Sequence, residues 1–470
     1  MNRRKAGIVI TDGVGFRNFI LSDFPTQLKK RFDTIHIYSC LPKDVYTGYL
    51  TEEFSVHELG IFREPLKSWF FRKIKEVAHL MAHQDKNFGI QDNLSINRTK
   101  QFTPKGILTR LAFLLSGLFH SETWILRWEK WQYATFRNHP LTKEYRKLLQ
   151  DNKPEFLFFT HQRPPFISPM LEAARQEGIP VSAFIFSWDN LPSKGRMCGT
   201  FDTYIVWSSL MKEELLDFYP SIHSEQIHVG GTPQFEPYVM DTYATTRELF
   251  LSRFELNATK PVVCYSCGDS ATSRNDELYI SVLAESIKHN LLDREVQLLV
   301  RTSPAEGTER FAELKRDYPF IVWNYPKWIY ARENHPEPWT QRIPTREDIQ
   351  DLRAILEYSD VNINMCSTMS LDFMQFDKPV INPVFGNAEN GLYNDQRFLK
   401  YAHYQRVAES GAVAIVKNKE ELIAAINNAL VHPQNASAER KKLLELQIGR
   451  PLKGTSEAIV EVLSKTRQVE

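Results

Sequence analysis

The feature that most constrains this chain is a rhythm that occurs twice: a short apolar run, a turn rich in small polar residues, then a segment of helical period. It opens with an apolar run over Gly7–Thr11, the turn Asp12-Gly-Val-Gly15, a helix over 19–31 and a second run, Thr34–Tyr38. It returns as strands at Phe156–Thr160, Val181–Phe186, Thr203–Trp207 and Gln226–Val229, with helices at Ser168–Glu177 and Ser209–Asp217 between them. It restarts with strands at Pro261–Ser266, Val296–Arg301, Phe320–Trp323, Val361–Asn364 and Pro379–Asn382, and helices at Asn275–Lys288, Glu347–Tyr358 and Thr368–Phe376. Runs apolar on both faces and joined through helices belong to parallel sheets covered on both sides. The chain therefore reads as two successive α/β units with a tail of helices near 418–430, 437–447 and 456–465.

Length agrees, since 470 residues suit two domains at about 100–200 residues each. The exit from the first is Thr232-Pro-Gln-Phe-Glu-Pro237, followed by a connecting helix over 240–255. A net charge of +1 argues against a nucleic-acid coat protein. There is no apolar run of about 18 residues to span a bilayer. Met1-Asn-Arg-Arg-Lys5 resembles the start of an export signal, but the apolar run after it ends at Ile10, too soon for one. Five scattered cysteines fit reduced thiols in a cytoplasm. Cys264-Tyr-Ser-Cys267 has C-x-x-C spacing but no second pair, which favours small residues ending a strand over a metal or redox centre. No metal-ligand cluster or resident cofactor is expected.

Residues 60–150 differ. They are helical in pattern and rich in Trp, Phe, Arg and Lys. Ile107–Leu118 is apolar on most sides and is followed by Trp124, Trp128 and Trp131. Two readings stay open: a helical cap over the sheet, or a membrane-surface patch completed by Arg110, Arg127 and Lys130. Residues 84–105 read as a polar loop.

Open parallel sheets bind ligands beyond the carboxyl ends of their strands. In the first unit those positions hold Asp12, Arg17, Asn18, His161, Arg163, Asp189, Asn190 and Lys194. In the second they hold Gly268, Asp269, Arg301, Ser303, the aromatic loop 323–345, Ser367 and Thr368. A turn with hydroxyls at the start of a helix suits a phosphate, although it can equally be a helix cap. Arg301 offers a bidentate fork for phosphate oxygens, or a salt bridge.

Phe186-Ser-Trp-Asp-Asn-Leu-Pro-Ser-Lys194, Thr203-Tyr-Ile-Val-Trp-Ser208 and Val229-Gly-Gly-Thr-Pro-Gln234 resemble bacterial glycosyltransferases of the GT-B fold. So do Tyr358-Ser-Asp-Val-Asn-Ile-Asn-Met-Cys-Ser-Thr368 and Asp377-Lys-Pro-Val380. The later pattern is similar to the wider group containing UDP-glycosyltransferases, glycogen phosphorylase, CDP-glycerol glycerophosphotransferases and UDP-N-acetylglucosamine 2-epimerases. The likeness covers roughly 150–390. It implies two Rossmann-like doubly wound domains facing a cleft. Residues 1–238 would bind the acceptor and carry the helical insertion at about 60–150. Residues 239–450 would bind a nucleotide-sugar, and a helix in 451–470 would pack back on the first domain.

Carried over residue by residue, the likeness places the donor phosphate at Ser367 and Thr368, with Arg301 and Ser303 facing it and the 268–274 turn beside it. Trp323 or Tyr325 would stack on the base, with Asp372 as a shifted counterpart of the ribose carboxylate. Retaining relatives carry paired glutamates in this region. Residues 360–380 have Asp360, Asp372 and Asp377 but no glutamate, which favours inversion. Inversion needs a general base. Asp12 sits between a strand and two glycines that would let a ligand approach. His161 has the better intrinsic pKa, and Asp189 is third. Each could instead shape its own turn or be satisfied in the core. Arg17, Asn18, Arg163, Asn190 and Lys194 are acceptor candidates.

The expected activity is metal-independent transfer of a sugar from a nucleotide-sugar to a glycan or lipid-linked acceptor, in surface polysaccharide or lipopolysaccharide synthesis. Its place would be the cytoplasm, compatible with the inner face of a membrane, with no nucleic-acid partner. A CDP-polyol or sugar-phosphate phosphotransferase is the alternative enzyme, and a nucleotide-sugar-binding scaffold the non-enzymatic one.

Overall fold

In a computed structural model, which describes residues 4–466, the chain forms two compact units. The first holds the described residues up to Glu236, together with Tyr330–Ile343 and those from Gln447 onward. The second holds Pro237–Ile329 and Pro344–Leu446. Segment 330–343, read from the sequence as part of the second domain, thus belongs to the first.

The first unit is built on seven parallel strands: β1 (Lys5–Ile10), β2 (Thr34–Ser39), β3 (Phe54–Glu58), β4 (Leu157–Phe159), β5 (Val181–Phe184), β6 (Thr203–Val206) and β7 (Ile227–Val229). Their order is β3-β2-β1-β4-β5-β6-β7. Strand β1 pairs with β2 from Lys5↔Thr34 and with β4 from Gly7↔Leu157. Ala6, Ile8, Val9 and Ile10 are wholly buried, as a strand covered on both faces requires. The expected single helix over 19–31 is two, α1 (Gly13–Ile20) and α2 (Phe24–Lys29). Pro25 at the first turn of α2 suits a helix start rather than an interior. The C-terminal helix Thr455–Lys465 packs on α2, and Arg4 donates to the Ser464 carbonyl.

Residues 60–152 form α3 (Leu66–Ala82), α4 (Phe88–Ile96), α5 (Pro104–Leu118), α6 (Glu122–Ala134) and α7 (Pro140–Asn152). Helix α4 falls where a polar loop was expected; the Asn87 side chain caps it by accepting from the Ile90 amide. Ile74, Ala78, Ala112, Ile125 and Trp128 join α3, α5 and α6 in a small core. Lys75 is fully buried there, donating to Cys198 O (2.6 Å) and to Glu129 (3.3 Å).

At the sheet edge, His36 Nδ1 lies 3.1 Å from His57 Nε2, which Asn152 Nδ2 also approaches at 3.1 Å. Burial, with the charges of His57 and Lys5, pushes the His36 imidazole down to about 4. Burial also lowers His57. Folding thus favours the neutral rings. Their contribution is whole above the free imidazole value of about 6.5 and is lost as pH falls toward 4. Allowing for partial screening, His36 accounts for on the order of 1–2 kcal/mol of that loss. The wild-type thermal midpoint should fall across this range more steeply than that of His36→Gln. Equal slopes would rule the pair out as the cause.

The second unit has a six-stranded sheet of β8 (Val262–Ser266), β9 (Gln297–Arg301), β10 (Val322–Asn324), β13 (Val361–Ile363), β14 (Val380–Pro383) and β15 (Ala414–Val416). Its order is β10-β9-β8-β13-β14-β15, again with parallel pairings. Val263, Tyr265, Leu298, Val300, Ile363 and Ile381 form its core with Tyr279, Ile280 and Leu283 of the helix Asp276–Lys288. The aromatic loop holds a two-stranded ribbon, β11 (Trp328–Tyr330) with β12 (Arg342–Pro344). The chain passes into the first unit after Ile329 and returns at Pro344.

Candidate active site

Both sheets reverse their strand order between the first strand and the fourth of the unit, and this reversal opens ground beyond the carboxyl ends of the two strands. In the first unit those strands are β1 and β4. Asp12 follows β1 and His161 follows β4, and the register Val9↔Phe159 brings them level. His161 Nδ1 lies 3.1 Å from Asp12 Oδ2. The two candidates for the base are one dyad.

Asp12 is wholly buried. It also accepts from the Gly15 amide (2.8 Å) and the Thr11 hydroxyl (2.8 Å), which makes it the N-cap of α1. Burial alone would push its carboxyl up. The His161 ring, the Gly15 amide and the Thr11 hydroxyl outweigh burial and hold it below the ordinary carboxylate value. His161 is 7% exposed and stacks on Phe186 with centroids 3.8 Å apart. Burial lowers its pKa, the Asp12 carboxylate offsets this in part, and Arg163 lowers it further. A carboxylate can only accept, so Nδ1 carries the proton and Nε2 the lone pair. Nε2 has no hydrogen-bond partner among the described residues. A neutral ring fixed in one tautomer, with its outer nitrogen unbonded, is equipped to take a proton.

Arg163 lies two residues on. Its guanidinium has no ion-pair partner among the described residues, and its Nε is buried without a hydrogen bond. The positive charge lowers the pKa of His161 and of His79. Asp189 raises the His161 value through space but is itself paired with Lys194 at 3.3 Å. Asn190 is tied to Gln162 Nε2 (3.1 Å) and to Asp189 (3.0 Å), and so braces the loop carrying His161. Arg17 and Asn18 are both buried, and neither amide atom of Asn18 is bonded. The glycines have a different use from the one expected. A Cβ on Gly13 would lie 1.6 Å from the Arg342 carbonyl, and one on Gly15 would lie 2.8 Å from Thr160 Oγ1. They admit protein backbone and side chain, where a ligand was expected.

In the second unit the reversal falls between β8 and β13. Cys366-Ser367-Thr368 follows β13, with Cys366 held at φ +47°. That left-handed conformation is strained for a non-glycine residue. It is fixed from below: Asn364 Oδ1 accepts from the Ser367 amide (2.9 Å), and Asn364, Ser370, Asn382 and Tyr404 form a buried hydrogen-bonded set. Ser367 Oγ accepts from the Met369 amide (3.3 Å).

Other donor-site candidates are committed elsewhere. Arg301 is 6% exposed; it donates twice to Asp348 (3.1 and 3.0 Å) and once to Asn324. Asp348 also takes the Lys327 amide (2.9 Å) and Trp328 Nε1 (2.8 Å). The 268–274 turn closes on itself. Asp269 accepts from the Ala271 and Thr272 amides, and the Gly268 amide donates to Asp276. Arg310 ties the Gly268 and Ser273 carbonyls together. Ser303 accepts from the Ala305 amide (3.2 Å). Trp323 packs against Phe311 at 5.6 Å on the edge of the core, with Tyr325 near-parallel to it at 6.2 Å. Asp372 is buried and accepts from the Tyr238 hydroxyl. Residues 330–343, the later part of the aromatic loop 323–345, lie in the first unit: Gln341 Nε2 donates to Cys40 O (3.3 Å), and Arg332 pairs with Glu58 (2.5 Å).

Cys264 and Cys267 are buried free thiols, both pushed up by burial. Among the described residues no group of three His, Cys, Asp or Glu side chains is placed to hold a metal ion. No helix among them is long and apolar enough to cross a membrane.

Solved structures share this architecture. A UDP co-structure of MnaA from S. aureus matches with TM-score 0.54 and 10% identity over 98% of this chain and 96% of that one. A UDP-GlcNAc 2-epimerase from Neisseria meningitidis bound to UDP-GlcNAc matches at 0.52 and 11%, over 98% and 100%. A glycosyltransferase from Rickettsia africae ESF-5 matches at 0.50 and 12%, over 99% of each chain. At such identities the likeness is one of fold, the GT-B pairing of two parallel α/β units. Comparison with curated proteins finds no sequence match. Residues 187–463, more than half of the chain, match the family CDP-glycerol:poly(glycerophosphate) glycerophosphotransferase, and the chain belongs to that family of transferases.

Proposed function

We propose that this protein moves a polyol-phosphate unit from a cytidine-diphosphate donor to a hydroxyl of an anionic, phosphate-bearing acceptor carried on a lipid. The observation that carries the reading is the Asp12–His161 dyad at the first unit's strand reversal, with the unpaired Arg163 two residues beyond it. His161 Nε2 takes the acceptor proton as the acceptor oxygen attacks the β-phosphorus of the donor. A P–O bond forms there, the P–O bond to cytidine monophosphate breaks, and that nucleotide leaves. Asp12 holds the ring and stabilises the imidazolium that forms. Arg163 supplies a cation for an acceptor phosphate. The donor's diphosphate is assigned to the Ser367–Thr368 turn. The second unit's strand reversal and the braced left-handed Cys366 support that assignment.

The GT-B fold supports a second reading, transfer of a glycosyl group with loss of a nucleoside diphosphate. Product chemistry separates the two. Incubation with CDP-glycerol and a glycerol-phosphate primer should release cytidine monophosphate and give a phosphodiester signal in phosphorus NMR. Release of a nucleoside diphosphate from a nucleotide-sugar, with a new glycosidic linkage, would overturn phosphotransfer.

A further inference from the structure

Helix α5 is built the wrong way round for a water-facing helix. Its inward face is Gly106, Thr109, Ala112 and Ser116, all small and buried. Its small side chains let α5 lie close on α3, where Ser116 Oγ donates to the Ile74 carbonyl at 3.1 Å. Leu115 packs on the small core beside them, while four other large apolar residues point outward. Ile107, Leu111, Leu114 and Leu118 are 56%, 40%, 64% and 70% exposed. At about 100° per residue these four fall within about 60° of one another, opposite the buried face. They form one straight apolar ridge along the helix.

The segment before the helix extends it. Phe102 is 86% exposed. It is held out by Arg110, whose guanidinium lies 4.3 Å from the ring centroid and donates to the carbonyls of Lys100 (2.5 Å) and Gln101 (3.3 Å). Between Asp92 and Glu122 the sequence has four cations, Arg98, Lys100, Lys105 and Arg110, and no acid. All four are exposed. A second copy of the chain would bring like charges together across a two-fold axis. An acidic, apolar surface is the complement. Helix α5 has 15 residues, shorter than the ~20 needed to span a bilayer. Such a helix lies in the interface plane with its apolar ridge among the acyl chains and its cations at the headgroups.

We propose that α5 and the Arg98–Phe102 segment form a docking surface for an anionic phospholipid bilayer. This goes beyond the transfer reaction and does not rest on it. Flotation of the full chain with vesicles tests it directly. Vesicles of phosphatidylcholine with phosphatidylglycerol should carry the protein at low salt, less at high salt, and pure phosphatidylcholine vesicles should carry little. Leu114→Ser with Leu118→Ser removes exposed apolar surface only, so the fold is kept, and apparent affinity should drop about tenfold or more. Arg98→Glu with Lys100→Glu should do the same for phosphatidylglycerol vesicles. Three results would overturn the proposal: no flotation of the wild type, flotation of the serine variant as well as wild type, or a self-association in ultracentrifugation that the serine variant abolishes.

Discussion

Replacing His161 with Ala should lower turnover by about 10²–10⁴-fold, the range for loss of a positioned general base. Donor affinity should stay close to wild type, because the ring neither carries charge at neutral pH nor belongs to the turn proposed for the donor phosphate. His161→Gln, which keeps a polar side chain beside Asp12, separates a folding defect from a chemical one. It should keep the thermal midpoint and still lose the rate. Asp12→Asn should fall between, since the amide holds the loop without enforcing the tautomer. The pH profile gives a sharper sign. Burial and Arg163 lower the His161 pKa, while Asp12 raises it. Activity that needs the neutral ring should therefore have its acid limb below the free imidazole value of about 6.5. Removing the Asp12 charge takes away the raising influence, so in Asp12→Asn the limb should move to lower pH while the plateau drops. A plateau loss with no movement of the limb would make Asp12 purely structural. Full turnover in His161→Ala would remove the dyad from the chemistry altogether.

The strand rhythm was legible because both sheets are buried on both faces, which turns each inner strand into a readable apolar run. Edge and interrupted elements were less so. Strand β3, Phe-Ser-Val-His-Glu, is short, half-polar and at a sheet edge, so it lacks the apolar run that marks the inner strands. Helix α4 begins from an Asn cap inside a polar stretch, and its apolar residues are too few to show a period. The candidate site was half legible. Asp12 and His161 could each be named from a strand end. Their contact depends on β1 lying next to β4, a fact of strand order across about 150 residues that local sequence does not carry. The same holds for what Gly13 makes room for, since Arg342 arrives from a segment distant in sequence. The reaction class was legible too: the motifs pointed to a transferase of this fold group, and the family match agrees. Those motifs are shared by the whole fold group, so they do not separate sugar transfer from the phosphotransfer proposed above, which follows the description of the matched family.

Arg301 shows how a strand-end cation can be read two ways, and a stability measurement separates them. As a donor-phosphate ligand its loss would weaken nucleotide binding and leave the fold intact. In the structure its fork is taken up by Asp348 and Asn324, and Asp348 in turn holds the Lys327 amide and the Trp328 indole. Both partners are nearly or wholly buried, with side-chain exposures of 7% and 1%. Arg301→Met should therefore strand a buried carboxylate and destabilise the second unit by about 3–5 kcal/mol. Pairing it with Asp348→Leu should recover much of that loss, because a buried ion pair exchanged for apolar groups is often close to neutral. Ser367→Ala with Thr368→Ala should behave in the opposite way, with a small change in stability and nucleotide binding weaker by about 1–3 kcal/mol. Calorimetry with cytidine nucleotides and thermal melts of the same variants read both axes at once. An Arg301→Met protein with wild-type melting and weakened nucleotide binding would return Arg301 to the donor site and make the Asp348 contact incidental.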